Sequence, residues 1–166
     1  MRTTPIEELS RDAFAPFGEF ADLIDPDAIV IGAPPIQFFR DMVPLNLGGH
    51  GIASFSVCRV EDRPAVVDVT EYHTACGEGI LPLDADVLIH VAIATPNGEV
   101  PHDRVRLFRV PKGTFVALKP GVWHHAPILH DQNARAANVV IVLPERTYAN
   151  DCIVEELPAD QQTQAG

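Results

Sequence analysis

The sequence predicts an all-β protein built as a double-sheet jelly-roll barrel, and three observations support this prediction. About ten short apolar runs alternate with turn residues between positions 38 and 155, a pattern typical of antiparallel sandwiches and barrels. The 166 residues include 15 prolines and 11 glycines along the whole chain, and prolines interrupt long helices. No amphipathic helical block separates the apolar runs, whereas parallel strands would need such crossovers. The interior of such a barrel is where small ligands and metals are held.

The amino-terminal segment predicts a short helical element ahead of the barrel. Residues 4–14 suggest one or two helical turns, for which Ser10 is a suitable amino-terminal cap. Pro16 ends this element. Residues 25–35 contain Asp-Pro and Gly-Ala-Pro-Pro, and we therefore expect a loop there with one brief strand around Ile29.

The apolar runs predict ten strands, at residues 38–43, 52–59, 67–73, 79–82, 87–94, 104–110, 115–118, 123–129, 136–143 and 151–155. Turns rich in proline, glycine and asparagine join them. At this length we expect a single domain over residues 1–166, with its core in residues 14–158. Residues 159–166 are polar and predict a flexible tail.

Charge and composition argue against several classes of partner. The formal net charge of −11 disfavours binding to the phosphate backbone of nucleic acids. No apolar run approaches the roughly 18 residues that span a bilayer, and no basic-then-apolar leader opens the chain, so we expect no membrane partner and a cytoplasmic protein. Three widely spaced cysteines, Cys58, Cys76 and Cys152, do not form a disulfide framework or a Cys-x-x-Cys pair.

Two segments carry the side chains of a metal or acid/base site. Glu71 and His73 stand two residues apart, which on a strand puts both side chains on the same face. Glu78 follows after a Cys-Gly turn, and His124 comes much later, after a Lys-Pro-Gly turn. Two imidazoles and two carboxylates suit a divalent metal such as Zn, Ni, Mn or Fe. The sequence therefore predicts that these four residues share one site.

These two segments resemble the paired motifs of the cupin superfamily. The first reads Glu71-x-His73-x-x-x-x-Glu78, with Glu where the cupin motif has its first His. The second covers residues 113–124 and ends at a His beyond a Pro-Gly turn. A Glu-x-His motif followed by Trp-His-His resembles the ureidoglycolate lyase family, formerly called ureidoglycolate hydrolase, and weaker similarities extend over residues 14–158. In that family the position of Glu78 is typically Gln, and here Ala-Pro rather than Pro alone follows Trp-His-His.

The resemblance implies a cupin-type double-stranded β-helix and a carbon-nitrogen lyase of allantoin and purine degradation. Such an enzyme cleaves ureidoglycolate to glyoxylate and urea, with one group removing the hydroxyl proton and another protonating the departing nitrogen. The resemblance also implies nickel or another divalent ion, with manganese, zinc and iron open, and barrels of this kind often form homodimers.

The expected roles of the residues fall into three sets. We expect the metal to be held by Glu71, His73, Glu78 and His124. We expect acid/base catalysis from Glu78, His124, His125 and Lys119, and substrate contacts from Arg109, Trp123 and Lys119. The alternatives are another metal-dependent cupin enzyme, an isomerase, lyase or oxygenase acting on a small hydroxy or keto acid, and a non-catalytic cupin that binds a small acid.

Overall fold

Two β-sheets that share one core form the body of the protein in the computed structural model, which describes residues 1–25 and 27–166. With strands numbered along the chain, the larger sheet has the order β3 (Gly18–Asp22), β12 (Thr114–Leu118), β9 (Glu78–Pro82), β14 (Ala136–Pro144) and β6 (Ala53–Glu61). The smaller has the order β13 (Ile128–Leu129), β10 (Val87–Val91), β11 (Arg106–Val110) and β2 (Ile6–Glu8).

Three smaller groups of strands flank these sheets. β1 (Arg2–Thr4), β16 (Thr163–Ala165) and β7 (Val66–Val67) form one group; β8 (Val69–Tyr72) pairs with β15 (Ile153–Glu156); and β4 (Ile29–Ala33) pairs with β5 (Ile36–Arg40). Two four-residue helices, α1 (Arg11–Phe14) and α2 (Thr147–Asn150), and a 3-10 turn at His102–Arg104 complete the described elements. The predicted all-β class and cupin-type barrel are confirmed. In the described part of the chain, no helix is long and apolar enough to cross a membrane.

Alternating side chains of both sheets fill the space between them. Ile80, Val116 and Val139 from the larger sheet meet Ile89 and Phe108 from the smaller one, and all five are buried. Because side chains alternate along a strand, every second residue faces this core. The burial removes apolar area from water, which is the main favourable term in folding.

The predicted amino-terminal turn is present, and it docks an aromatic cluster on the core. Ser10 caps α1 by accepting a hydrogen bond from the Ala13 N–H at 3.3 Å, as its sequence position predicts. Phe14 is fully buried, with its ring centroid 5.2 Å from that of Phe108 in an edge-on arrangement. The Arg106 guanidinium lies 4.8 Å from the centroid of the Phe108 ring. This cluster holds the first strands of the chain against the smaller sheet.

Several predicted elements are corrected. Part of the expected amino-terminal helical stretch forms β1 and β2. The strand expected around Ile29 is present as β4, and it pairs with β5; Pro26 of the expected loop lies outside the described residues. The predicted flexible tail at 159–166 contains β16, which has hydrogen-bonded strands on both sides and a buried Thr163. Its three residues are too short a segment to carry a periodicity. The predicted strand 123–129 reduces to β13 and two isolated bridges, at Trp123 and His124.

Candidate metal centre

Four side chains from distant parts of the sequence meet at one end of the barrel. One ligand atom from each of Glu71, His73, Glu78 and His124 lies within 4.8 Å of the others. His73, Glu78 and His124 are buried, whereas Glu71 is half-buried. The structure thus brings together all four residues that the sequence assigns to one site.

The backbone ties the two motifs together at their ligands. Glu71 is on β8, and its N–H donates to the carbonyl of His124 at 2.6 Å, while the His124 N–H donates to the carbonyl of Glu71 at 2.8 Å. The turn after His73 leads directly to Glu78, the first residue of β9. Gly77 lies in this turn so close to the opposite strand that a Cβ there would stand 2.2 Å from the Leu118 carbonyl oxygen. Only glycine allows this approach.

Backbone carbonyls fix the tautomers of both histidines. His73 Nδ1 lies 2.6 Å from the carbonyl oxygen of Asp151, and His124 Nδ1 lies 2.8 Å from that of Val122. A carbonyl oxygen only accepts, so each Nδ1 carries the hydrogen and each neutral ring leaves a lone pair on Nε2. Both Nε2 atoms lie 3.2 Å from Oε2 of Glu78. Three electron-rich atoms therefore converge, and this arrangement fits a cation held among them.

The pKa shifts of the buried Glu78 and His124 agree with a cation-binding site. Burial would raise the pKa of Glu78, but the charges and hydrogen bonds of His124 and His73 outweigh it and lower that pKa to about 2. Burial would lower the pKa of His124, but the adjacent Glu78 carboxylate raises it. Without a metal, His124 thus holds its proton more tightly, and its charge offsets that of the buried carboxylate.

Asp151 supports the turn that carries His73. Its carboxylate accepts hydrogen bonds from the N–H groups of Thr74 and Ala75, both at 2.8 Å, and from the Thr74 hydroxyl at 2.5 Å. Its carbonyl is the one that orients His73. Such outer partners set the direction of a ligand, although they do not touch the metal.

A second buried network lies behind His124. Thr70 donates its hydroxyl to the carbonyl of His124 at 3.2 Å, and His90 Nε2 lies 3.1 Å from the same hydroxyl oxygen. Burial, followed by the nearby His124 and His125, lowers the pKa of His90 to about 3. His90 is therefore neutral at physiological pH and serves as a packing and hydrogen-bonding residue.

The site opens into a small, mainly apolar cavity of about 160 Å³. Its floor carries Glu71, His73 and Glu78. The described residues that complete its lining are Cys58, Ala126, Pro127, Ile141, Leu143, Tyr148 and Cys152. None of these lining residues is a lysine or an arginine, so the cavity offers an anionic ligand no cationic side chain of its own among the described residues.

Cys152, which the sequence does not single out, contacts the site directly. Its thiol donates to Oε2 of Glu71 at 3.2 Å. Burial, followed by this hydrogen bond, raises the pKa of Cys152 to about 12, so it stays a thiol at neutral pH. The thiol engages one Glu71 oxygen. No spacing rule links Cys152 to Glu71, because β15 and β8 become neighbours only in the fold.

The remaining predicted site residues lie elsewhere. Arg109 binds Asp86 at 2.7 Å and Glu8 at 2.9 Å on the smaller sheet. Lys119 donates from Nζ to the carbonyl of Ala15 at 2.6 Å. The structure does not bring either cation to the cavity.

Trp123 and His125 flank His124 in sequence but do not line the cavity described above. Trp123 is buried, with its ring centroid 4.4 Å from that of Tyr72. His125 is half-buried, and burial lowers its pKa despite the opposing charge of Glu71. Their sequence positions put them beside His124, but neither side chain lines the cavity.

Comparisons with known proteins give a consistent result. A sequence model of the ureidoglycolate lyase family matches residues 1–164. The ureidoglycolate lyase of Rhodobacter capsulatus is 32% identical over 126 residues, which cover 75% of this chain and 77% of that protein. The ureidoglycolate lyase of Stutzerimonas stutzeri is 26% identical over 165 residues, covering 98% of this chain and 94% of that protein. Among solved structures, the 3,4-ketoisomerase QdtA of Thermoanaerobacterium thermosaccharolyticum matches with a TM-score of 0.44 and 13% identity, covering 81% of this chain and 85% of that one.

Proposed function

The chain belongs to the ureidoglycolate lyase family, and we propose that it is a carbon-nitrogen lyase that cleaves ureidoglycolate to glyoxylate and urea with the help of a divalent metal. The observation that carries this proposal is the convergence of two imidazole lone pairs and one buried carboxylate oxygen beside a fourth carboxylate. Members of the family that bear this name act on ureidoglycolate, and the cavity suits a molecule of that size.

The charge of the cavity favours a bound metal as the partner of the substrate carboxylate. Ureidoglycolate carries a carboxylate, and the metal-free site already contains the carboxylates of Glu71 and Glu78. Like charges repel strongly in a buried site, and none of the described lining residues is cationic. A bound divalent metal would attract the substrate carboxylate and lower the pKa of the neighbouring hydroxyl.

We assign different tasks to the two glutamates. Glu78 is buried between the histidines and has a pKa of about 2, which suits a ligand and makes it a weak base. With His73 and His124 it gives three protein ligands, the number that leaves open positions at catalytic metals. Glu71 is half-buried on the cavity floor, and Cys152 engages only its Oε2. We therefore assign proton transfer to Glu71.

The reaction then needs one group that first accepts a proton and later donates the same proton. Glu71 accepts the proton of the substrate hydroxyl, and the oxygen lone pair forms the carbonyl of glyoxylate. The carbon-nitrogen bond breaks, its electron pair moves to nitrogen, and the proton passes to that nitrogen to complete urea. All atoms of ureidoglycolate appear in the two products, so no water or redox partner enters the equation.

The wider biological assignment follows from the family and from the free thiols. Nickel is the metal that the family resemblance favours, with manganese, zinc and iron as alternatives of similar ligand preference. We place the protein in allantoin and purine degradation as a single catalytic domain. The three free thiols support a reducing compartment such as the cytoplasm.

The test measures glyoxylate and urea released from racemic ureidoglycolate by metal-stripped protein and by protein reloaded with each metal. Glu71→Gln should retain the metal and lose turnover by roughly 100-fold or more, the usual contribution of a positioned acid/base. Glu78→Gln should lose metal affinity first, measured by metal content after dialysis. Glu155→Gln, an exposed change on the neighbouring β15, is the matched control and should leave both unchanged.

Each result has a distinct meaning. Loss of metal from Glu71→Gln, with turnover restored by excess metal, would make Glu71 a ligand and refute its catalytic role. If folded, metal-loaded wild-type protein releases no glyoxylate with any of the metals, the lyase proposal is refuted. The search would then turn to other small hydroxy and keto acids.

A further inference from the structure

The carboxylate of Glu71 is held at one of its two oxygens. Within residues 1–25 and 27–166, the hydrogen bond that engages this side chain comes from the thiol of Cys152, whose Sγ lies 3.2 Å from Oε2. An ionised carboxylate only accepts, so the sulfur supplies the hydrogen. Both residues line the cavity of the metal centre. The contact therefore fixes one oxygen of a half-buried carboxylate beside the centre and leaves the other oxygen to the cavity.

The register of β8 and β15 explains how Cys152 reaches Glu71. Val154 lies directly opposite Glu71 in this antiparallel pair. Cys152 stands two residues before Val154, and side chains two apart along an extended chain point to the same face. Diagonal neighbours on one face of an antiparallel pair are within reach of a long side chain such as that of glutamate. The strand pairing therefore directs the thiol to this carboxylate.

The backbone of Cys152 is anchored on both sides. On one side, the carbonyl oxygen of Asp151 lies 2.6 Å from Nδ1 of His73. On the other side, Ile153 begins β15 and pairs with Tyr72 of β8. A thiol is a weak hydrogen-bond donor, so it orients a carboxylate only where its own position is fixed. These two anchors supply that fixed position.

A cation at the centre would attract Glu71 as a fourth ligand. One oxygen of Glu71 belongs to the group of ligand atoms that lie within 4.8 Å of one another. Carboxylates bind divalent metals through one oxygen or through both. A coordinated Glu71 would occupy a position that a catalytic metal keeps for its substrate, and its oxygens would no longer be available to accept a proton. The hydrogen bond from Cys152 opposes this, because Oε2 must leave the thiol before Glu71 can turn to the metal with both oxygens.

We propose that Cys152 is the positioning residue of Glu71: its thiol holds Oε2, keeps the carboxylate off the metal and turns it towards the substrate. The inference rests on the proposed function, in which Glu71 carries the proton, and it adds the residue that keeps Glu71 available for that task. Asp151 has the opposite effect, because its carbonyl aims His73 at the metal. Loss of Cys152 should therefore change metal binding in the opposite direction to the loss of an ordinary outer partner.

Metal titrations without substrate test the direction of this change. Cys152→Ala should bind manganese roughly 10-fold more tightly than the wild type, because the released Glu71 becomes a ligand, whereas loss of an ordinary outer partner weakens metal binding by roughly 10- to 100-fold. Cys152→Ser keeps a donor and should bind manganese like the wild type. The double variant Glu71→Gln/Cys152→Ala should lose the tightening, because a neutral amide attracts a cation less than a carboxylate does.

Two further variants separate positioning from packing. Cys152→Val also lacks a donor but fills more of the cavity wall than alanine, and it should give the same tightening. Cys58→Ala is the matched control for the loss of a thiol, since Cys58 lines the same cavity and no hydrogen bond joins it to Glu71 in the described part of the chain. Its manganese affinity should equal that of the wild type. Water-proton relaxation by manganese-loaded protein should fall in Cys152→Ala, because Glu71 would replace a metal-bound water.

Turnover gives a separate result. At saturating metal, Cys152→Ala should release glyoxylate roughly 10-fold more slowly than the wild type, and Cys152→Ser should recover most of the rate. Equal or weaker manganese binding by Cys152→Ala, including no binding by either protein, would overturn the positioning role. A thiolate-to-metal charge-transfer band in nickel-loaded wild type, absent from Cys152→Ser, would also overturn it by making Cys152 a ligand. Absence of glyoxylate from every variant refutes the lyase proposal and leaves the result of the titrations standing.

Discussion

Replacing Glu78 by Gln tests the electrostatic account of the centre in the absence of metal. The buried carboxylate is stabilised by His124 and His73, each with Nε2 at 3.2 Å from Oε2. Gln has nearly the same shape as a protonated Glu and carries no charge. The substitution therefore removes the ion pairs while it preserves the packing.

The size of the effect follows from the pKa of Glu78. That pKa falls from 4.5 to about 2, and each pH unit is worth about 1.4 kcal/mol, so the ionised carboxylate contributes about 3 kcal/mol to the free energy of unfolding. This contribution is present above pH 4.5 and is lost as the pH falls towards 2. The raised pKa of His124 acts in the opposite sense: its stabilisation is present below 6.5 and is lost as the pH rises through the raised value. Both contributions are present together between pH 4.5 and 6.5.

Urea denaturation of chelator-treated protein measures this difference. At pH 6 we expect Glu78→Gln to unfold at a urea concentration about 1.5 M lower than the wild type, for a denaturant slope of about 2 kcal/mol/M. The difference should shrink at pH 9, because the charge of His124 is lost as the pH rises through its raised pKa. The exposed Glu155→Gln control should change the unfolding free energy by less than about 0.5 kcal/mol. Equal destabilisation at pH 6 and pH 9, or none at either, would refute the ion-pair account.

The other predictions concern metal binding and the core. His124→Ala should abolish turnover and metal retention while the circular dichroism spectrum stays unchanged; near-normal turnover would remove His124 from the mechanism. Asp151→Ala should weaken metal binding by roughly 10- to 100-fold in a metal titration, with partial recovery in Asp151→Asn, because the turn that orients His73 loses its hydrogen bonds. Phe14→Ala should lower the free energy of unfolding by about 3–5 kcal/mol in chemical denaturation without changing metal content, since the ring is fully buried. A loss below about 1 kcal/mol would show that the aromatic cluster does not anchor the amino-terminal strands.

The sequence predicts the barrel and the four converging residues because both depend on local spacing. Strands such as β9, β12 and β14 consist mainly of apolar residues between turn residues, and the structure forms strands at these positions. The site residues Glu71 and His73 are similarly visible, because they are two apart on or beside one strand. Glu71, His73 and Glu78 are therefore recognisable before any neighbouring strand is known, whereas His124 joins them through the second motif.

The contacts that orient the histidines and pair the charged side chains cannot be predicted from the sequence in the same way. The carbonyls that orient the histidines belong to the main chain, which every residue has, so Asp151 has no sequence pattern that identifies it. Arg109 was a reasonable candidate for binding a carboxylate, but Asp86 and Glu8 become its neighbours only when β2 and β10 flank β11. Which charges meet is decided by strand order, and strand order is a property of the whole fold.

The reciprocal backbone hydrogen bonds between Glu71 and His124 also determine at what stage of folding the proposed metal site is complete. Glu71, His73 and Glu78 lie within one short stretch and could meet early during folding, but His124 arrives only after a long loop has closed, and such closure is slow compared with local contacts. A separate closure, the pairing of β15 with β8, brings the carbonyl of Asp151 to His73. We therefore expect an incompletely folded chain to bind a metal ion weakly and without selectivity. Metal selectivity is therefore a property of the folded barrel, in which the ligand side chains are already oriented.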